Sequence, residues 1–263
     1  MIALSFDIEE FDLPLEHGIQ FPFERQIAVS AEGAGRILDV LEKHGIKATF
    51  FSTLNFANHA AGVINRLLTG GHELASHGIR HTEFAISDLK ESRLRLSEIA
   101  GKPIIGYRMP RMMKLPEKAI AEAGYLYDSS LNPTFIPGRY MNLRTPRYPF
   151  MKDGVLQIPT SVTPWVRFPM FWLSAHLLPP SLYRALAART LRHDGSFTTY
   201  FHPWEFYDLN SISDCKLPYM IRLHSGIGMQ QRLDRMIETF KKQGETFVTY
   251  TDIYNLHREK HLH

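Results

Sequence analysis

Ile2-Ala3-Leu4-Ser5-Phe6-Asp7-Ile8-Glu9 is a short apolar run that ends in acids. Its pattern is that of a buried strand. A helical segment follows: Ser30 to His44 carries Ile37, Leu38, Val40 and Leu41 on one face, and Gly45 stops it. The same alternation repeats outward from there. Lys47 to Ser52, Glu73 to Ser76, Pro103 to Tyr107 and Leu126-Tyr127 read as strands. Asn55 to Thr69, Ser87 to Ile99 and Pro116 to Ala123 read as the helices between them. Val155 to Ile158, the β-rich Phe197 to Phe201, and Phe247 to Tyr250 are further strands, and Arg232 to Gln243 a further helix. About seven or eight strand–helix units in roughly 250 residues predict a parallel barrel, not two domains. The sequence therefore reads as one α/β domain over residues 1–263, with an aromatic-rich insertion around residues 164–192.

Composition narrows the chemistry. A chain of 263 residues that is 44% hydrophobic has enough apolar material for a globular core, which excludes a disordered chain. The net charge is only +3 and the basic residues are scattered, so no nucleic-acid partner is expected. Cys215 stands alone, so neither an internal disulfide nor a thiolate metal site can form. Any transition-metal site must draw on Asp, Glu and the 13 histidines. The N-terminal residues lack a basic segment before a long apolar one, and no stretch approaches the ~18 apolar residues of a membrane span. The expectation is a cytoplasmic protein with no transmembrane segment. His257, His261 and His263 resemble a metal tract but read as a solvated tail.

The polar residues just past each expected strand matter most. They are Asp7 and Glu9, His77 and His81, Arg108, Asp128 and His202. In a parallel barrel all these strand ends open on one face, so residues two hundred positions apart converge. His77 and His81, four apart, with a carboxylate from Asp7 or Glu9, would form a common catalytic zinc set. Asp7, directly after buried Phe6, could take a proton from water, held ionised by Arg108. His202 could act as a general acid from the opposite wall. Each signal alone also fits an ordinary ion pair or a core histidine.

Taken in order, these segments resemble the polysaccharide deacetylases of the NodB-homology fold, carbohydrate esterase family 4. The likeness rests on Ser5-Phe6-Asp7-Ile8-Glu9, His77-x3-His81, Tyr107-Arg108-Met109-Pro110, Tyr127-Asp128-Ser129-Ser130 and Phe201-His202-Pro203-Trp204-Glu205. It implies a single distorted (β/α)7 barrel, a divalent metal that is usually zinc, and removal of acetyl groups from N-acetylated sugars. The commonest first motif has two adjacent aspartates; here Ile8 separates Asp7 from Glu9, as in a subgroup of the family. The resemblance then implies Asp7 as base, Glu9, His77 and His81 as metal ligands, and His202 as acid. Arg108 falls among the catalytic residues, and a backbone N–H of the Arg108–Arg111 loop is the oxyanion donor. Asp128, Pro110, Arg111 and Trp204 are expected to bind substrate or support the site, with Asp128 either orienting His202 or binding a sugar hydroxyl. An intracellular lipid-linked or nucleotide-linked saccharide is the expected substrate. The 164–192 segment is expected to be a lid packed on the barrel, or else a peripheral membrane contact helped by its arginines. Two alternatives remain: an amidohydrolase of the same fold acting on a small cyclic or linear amide, as allantoinases do, and a saccharide-binding barrel without chemistry.

Overall fold

The computed structural model describes residues 1–213, 215 and 217–260; His261 and His263 of the tail lie outside them. The strands are β1 (Ile2–Ile8), β2 (Thr49–Ser52), β3 (Glu73–Ser76), β4 (Gly106–Tyr107), β5 (Tyr127–Asp128), β6 (Phe135–Ile136), β7 (Tyr140–Met141), β8 (Phe150–Lys152), β9 (Val155–Gln157) and β10 (Phe197–Phe201). The helices are α1 (Leu13–Glu16), α2 (Phe23–His44), α3 (Leu54–His59), α4 (Ala61–Thr69), α5 (Ser87–Ala100), α6 (Glu117–Glu122), α7 (Trp172–Leu177), α8 (Pro180–Asp194), α9 (Tyr219–Arg222), α10 (Ile227–Lys242) and α11 (Tyr250–Lys260).

The main sheet runs in the order β10-β1-β2-β3-β4-β5-β9-β8, parallel throughout except for the antiparallel β8–β9 hairpin. Across the remaining gap, the stretch after β9 reaches β10: Ser161 N–H donates to Thr198 O at 3.1 Å and Thr198 Oγ1 to Pro159 O at 2.8 Å. Seven parallel strands therefore curl into the expected distorted (β/α)7 barrel, closed on one side by loop contacts in place of a ladder.

Strand parity positions the site, because alternate residues face opposite sides of a sheet. Ile2, Leu4, Phe6 and Ile8 of β1 pack outward in the large core shared with the helices. Ala3 joins the inner cluster with Phe51, Ala75, Tyr127 and Tyr250. Ser5, Asp7 and Glu9 continue the inner set, as His77 continues from Ala75. This parity explains why Glu9, and not residue 8, shares the side of Asp7. Gly106 leaves room for the Tyr127 ring, since a Cβ there would sit 2.0 Å from it. Gly33 of α2 lets that helix lie on the turn at Pro203, where a Cβ would meet Pro203 O at 1.8 Å.

Two expected elements differ. The Asn55–Thr69 helix breaks at Ala60 into α3 and α4. The strand expected at Phe247–Tyr250 is a single bridge from Ile2 to Phe247, and Tyr250 opens α11. The cause is local: Thr249 and Asp252 exchange hydrogen bonds, Thr249 N–H to Asp252 Oδ2 at 2.8 Å and Asp252 N–H to Thr249 Oγ1 at 3.2 Å. That reciprocal cap starts a helix and overrides the β-rich composition. In the 164–192 segment, α8 packs on β10 and α7 on both, while in the loop before them Trp165 and Val166 are exposed and Met170 and Phe171 are buried. No helix among the described residues is long and apolar enough to cross a membrane.

Candidate active site

Glu9, His77 and His81 bring one ligand atom each to within 4.8 Å of one another. His77 Nε2 lies 3.1 Å and His81 Nε2 3.3 Å from Glu9 Oε2. Neither contact has hydrogen-bond geometry, so Glu9 Oε2 is buried without a hydrogen-bond partner. An oxygen of this kind requires a cation or a donor. Tetrahedral ligands at 2.0–2.1 Å from a zinc ion sit roughly 3.3 Å apart, which these spacings match. The outer nitrogens are already fixed, His77 Nδ1 on Arg108 O at 2.8 Å and His81 Nδ1 on Asp12 Oδ2 at 2.8 Å. Such partners set the tautomer that leaves Nε2 for a metal. Burial disfavours a charged His81, but the Glu9 charge and the Asp12 hydrogen bond outweigh it and push its pKa up to about 9. The site attracts positive charge, and the donor set fits a divalent metal.

Asp7 lies beside this cluster, fully buried. Burial raises its pKa, but Arg108, His77 and His202 together pull it below the usual value, so the carboxylate stays ionised. Arg108 Nη1 donates to Asp7 Oδ1 at 2.5 Å. Its other bonds run to Ser5 Oγ, Ser129 O, Ser129 Oγ and Tyr250 OH at 2.9–3.2 Å, and its guanidinium lies 4.0 Å from the Phe51 ring centroid. All five N–H donors are thus spent, on a side chain 0% exposed. Arg108 thus meets Asp7 as expected, and its burial leaves the guanidinium facing Asp7 and its other partners, away from the cleft.

His202 faces the cleft from the other wall. Its Nδ1 contacts Glu205 Oε1 at 3.0 Å, and its backbone N–H donates to the same oxygen at 2.6 Å. Burial lowers the His202 pKa, yet the Glu205 hydrogen bond and the charges of Glu9, Glu205 and Asp7 raise it overall. Trp204 stacks on the imidazole at 5.0 Å and 16°, and the Trp172 and Tyr200 rings meet it edge-on. Trp204 therefore holds the plane of the His202 ring.

Asp128 does not orient His202. It accepts a hydrogen bond from Ser130 Oγ, which itself accepts from Met109 N–H at 2.8 Å, so Asp128 braces the Arg108-Met109 segment. Burial pushes the Asp128 pKa up to about 7. Pro110 is buried, 3.7 Å from the point where a Cβ of Gly78 would stand, and supports the turn after His77. Arg111 lines the cleft and pairs with Glu16 at 2.8 Å. Of the expected oxyanion donors, Arg108 N–H already bonds Ser76 O, Met109 N–H bonds Ser130 Oγ, and Pro110 has none. A donor from this loop falls to Arg111, which with Met112 takes a left-handed backbone at φ 57° and 52°. Glu205, His176, Asp12, Trp172 and Tyr200 escaped the sequence reading as site residues. Only Glu205 carried a local signal, three residues after His202.

The whole cleft holds about 1160 Å³. Asp7, Glu9, Asp12 and Glu16 are among its acidic lining residues, and Lys114, Arg139 and Arg144 line it as well.

Comparison with known proteins agrees with this architecture. Residues 2–125 match the family model described as polysaccharide deacetylase. Over 93 residues, 34% of the chain, the sequence is 32% identical to a chitin deacetylase from Arthroderma benhamiae. The chain spans about a quarter (25%) of the length of the curated relatives it matches. A Mycobacterium smegmatis protein put forward as a polysaccharide deacetylase shares the fold, with TM-score 0.70 and 20% identity over 98% of this chain and 90% of that one. So does Puue allantoinase, with TM-score 0.62 and 16% identity over 97% of this chain and 88% of the other. Asp7, Glu9, His77, His81 and Arg108 all lie in the stretch that matches the polysaccharide deacetylase family model.

Proposed function

We propose that the protein is a metal-dependent carbohydrate N-deacetylase, a hydrolase that removes acetyl groups from an N-acetylated sugar. One observation carries this reading: a His-His-Glu donor set, an ionised buried carboxylate and an imidazole line the same cleft. Glu9, His77 and His81 would hold the metal, and the mixed nitrogen–oxygen donor set suits zinc. When bound, such an ion supplies a Lewis acid for the amide carbonyl and makes water acidic near neutral pH.

The chain's own residues do the rest. Asp7, kept ionised by Arg108, takes the proton from the water that attacks the carbonyl carbon. The Arg111 N–H, left unpaired by the other bonds of its loop, would donate to the oxygen that gains charge. His202, with Nδ1 committed to Glu205, carries its exchangeable proton on Nε2 and gives it to the departing amine nitrogen. The C–N bond breaks, and acetate and a free amino sugar leave.

The cleft exceeds the ~300–1,000 Å³ of a usual small-ligand site, which supports a substrate larger than one acetamido sugar. Lys114, Arg139 and Arg144 favour an anionic group beyond the reacting ring, as in a nucleotide-linked or lipid-linked precursor in the cytoplasm. Metal analysis and an acetate-release screen on nucleotide-linked, lipid-linked and oligomeric N-acetyl sugars test the reading. Acetate release that requires one bound metal per chain is expected. Opening of ureide rings without acetate release would overturn it in favour of a small-amide hydrolase, and saccharide binding without turnover would make the barrel a binding module.

A further inference from the structure

We propose that His176 is a buried imidazolium that neutralises Glu205 and thereby sets the position and acidity of His202. The inference rests on the reading of His202 as the general acid. His176 is 0% exposed and sits in the last turn of α7, far from the metal cluster in sequence. Its Nδ1 lies 2.7 Å from Leu223 O, and its Nε2 lies 2.9 Å from Glu205 Oε2. A carbonyl oxygen and a carboxylate oxygen both accept. An imidazole held between two acceptors must donate from both nitrogens, which makes it a cation.

The Glu205 carboxylate, also 0% exposed, then receives three donors: His176 Nε2, His202 Nδ1 and the His202 backbone N–H. A buried ion pair is tolerable only when its hydrogen-bonding groups are satisfied in this way. The shifts agree in direction: burial opposes a charged Glu205, but the bonds and charges of His176 and His202 keep its pKa low.

The charged and titratable neighbours of His176 are Glu205, His224, and Arg232 of α10, whose Nη1 donates to Ala175 O at 2.8 Å and Leu178 O at 2.9 Å. Tyr183 of α8 faces Glu205, and its hydroxyl is engaged with Thr199 Oγ1 at 3.0 Å. Around His202 stand Asp7, Glu9, Glu205 and Tyr200. Asp7 is already paired with Arg108 and Glu9 would be neutralised by a bound metal, so Glu205 is the carboxylate whose charge on His202 is left to balance. The positive charge on His176 balances it without touching the substrate. It is a positioning residue that balances charge.

Nitrogen-15 NMR of the histidine-labelled, zinc-loaded protein reads the protonation state directly. Two protonated nitrogens on His176 from pH 6 to 8 are expected; one protonated nitrogen overturns the proposal. The variants give a second readout. His176→Gln keeps a donor towards Glu205 but removes the charge, so the His202 titration should rise by about one unit. Glu205→Gln removes the negative charge, so it should fall by a similar amount. The basic limb of the kcat/KM profile should move with it, in opposite directions for the two variants. Shifts of the same sign, or none in the His202 titration, overturn the proposal. Opposite shifts in that titration with an unmoved activity limb sustain the charge balance and refute the acid role of His202 instead.

Discussion

The stretch from residue 2 to residue 125 and the stretch that follows it build opposite walls of the cleft by different means. In the first, strands and helices alternate with short links, and Asp7, Glu9, His77 and Arg108 stand at or just past strand ends, on the side that parity dictates. Their supports are near in the sheet: Arg108 O for His77, Ser5 and Asp7 for Arg108. In the second, the chain leaves the rhythm for the β6–β7 hairpin, the antiparallel β8, the α7–α8 pair and short turns. His202 follows a strand, but its supports come from detours: Glu205 from a turn, His176 from 29 residues earlier, Trp172 from the same insertion. The wall of Asp7, Glu9 and His77 comes from strand geometry, the His202 wall from packing between irregular segments.

If that division holds, substitutions on the first wall should have the larger effects. His77→Ala should abolish metal uptake and turnover together, a loss of ~10³-fold or more. Full zinc stoichiometry in this variant, measured by elemental analysis, would remove His77 from the ligand set. Asp7→Asn should keep the metal and lose about 10²–10⁴-fold in kcat, the worth of a positioned base. Loss of metal along with activity would instead make Asp7 a ligand. Asp12→Asn changes only the group behind His81, and should weaken metal affinity by about 10–100-fold. A competition titration with a chelator measures it. Arg108→Gln should act on pH dependence. Asp7 is a working base only while ionised, and Arg108 lowers its pKa. Without that charge the pKa rises, so the acid limb of kcat/KM should move to higher pH; an unmoved limb would break the link between the two residues.

The same division accounts for what was legible in the sequence. Asp7, Glu9, His77, Arg108 and His202 could be found because each lies at or just past the end of an expected strand, and His81 by its spacing from His77; strand ends of a parallel barrel share one face. Asp128 satisfied the same rule, but its two expected roles could not be separated, because the rule locates a residue at the cleft but not its partner. Its bond to Ser130 is two residues away and its brace on Met109 is across the sheet. The partner of His202 was three residues off, in the Pro203–Phe206 turn, and a turn has no period to read. His176 lay inside an apolar helix within an aromatic segment, where a histidine gives no signal of its own. Arg108 was expected beside Asp7 but its burial was not foreseen, since five bonds from three chain segments enclose it.

The smallest expected effect tests the outer edge of the second stretch. Trp165 is 73% and Val166 80% exposed, in a loop that is held, not loose. Arg167 Nη1 donates to Pro133 O at 3.1 Å and to Thr145 O at 2.8 Å, and Thr134 Oγ1 donates to Arg167 O at 2.7 Å. Trp165 and Arg167 take left-handed backbone angles, φ 64° and 52°, which cost energy for side chains of this size. Two large apolar groups are thus fixed outward, with the Arg189 guanidinium 4.8 Å from the centroid of the Trp165 ring. An apolar tip with a cation beside it suits the surface of an anionic bilayer. The protein should float with vesicles containing anionic lipid. Trp165→Ser with Val166→Ser should weaken binding roughly tenfold, from about 1–2 kcal/mol of lost apolar burial. Turnover of a soluble substrate should not change, because neither residue reaches the cleft. No flotation of the unmodified protein would remove the membrane from the function, and leave the insertion as a wall whose purpose is to carry Trp172 and His176 to His202.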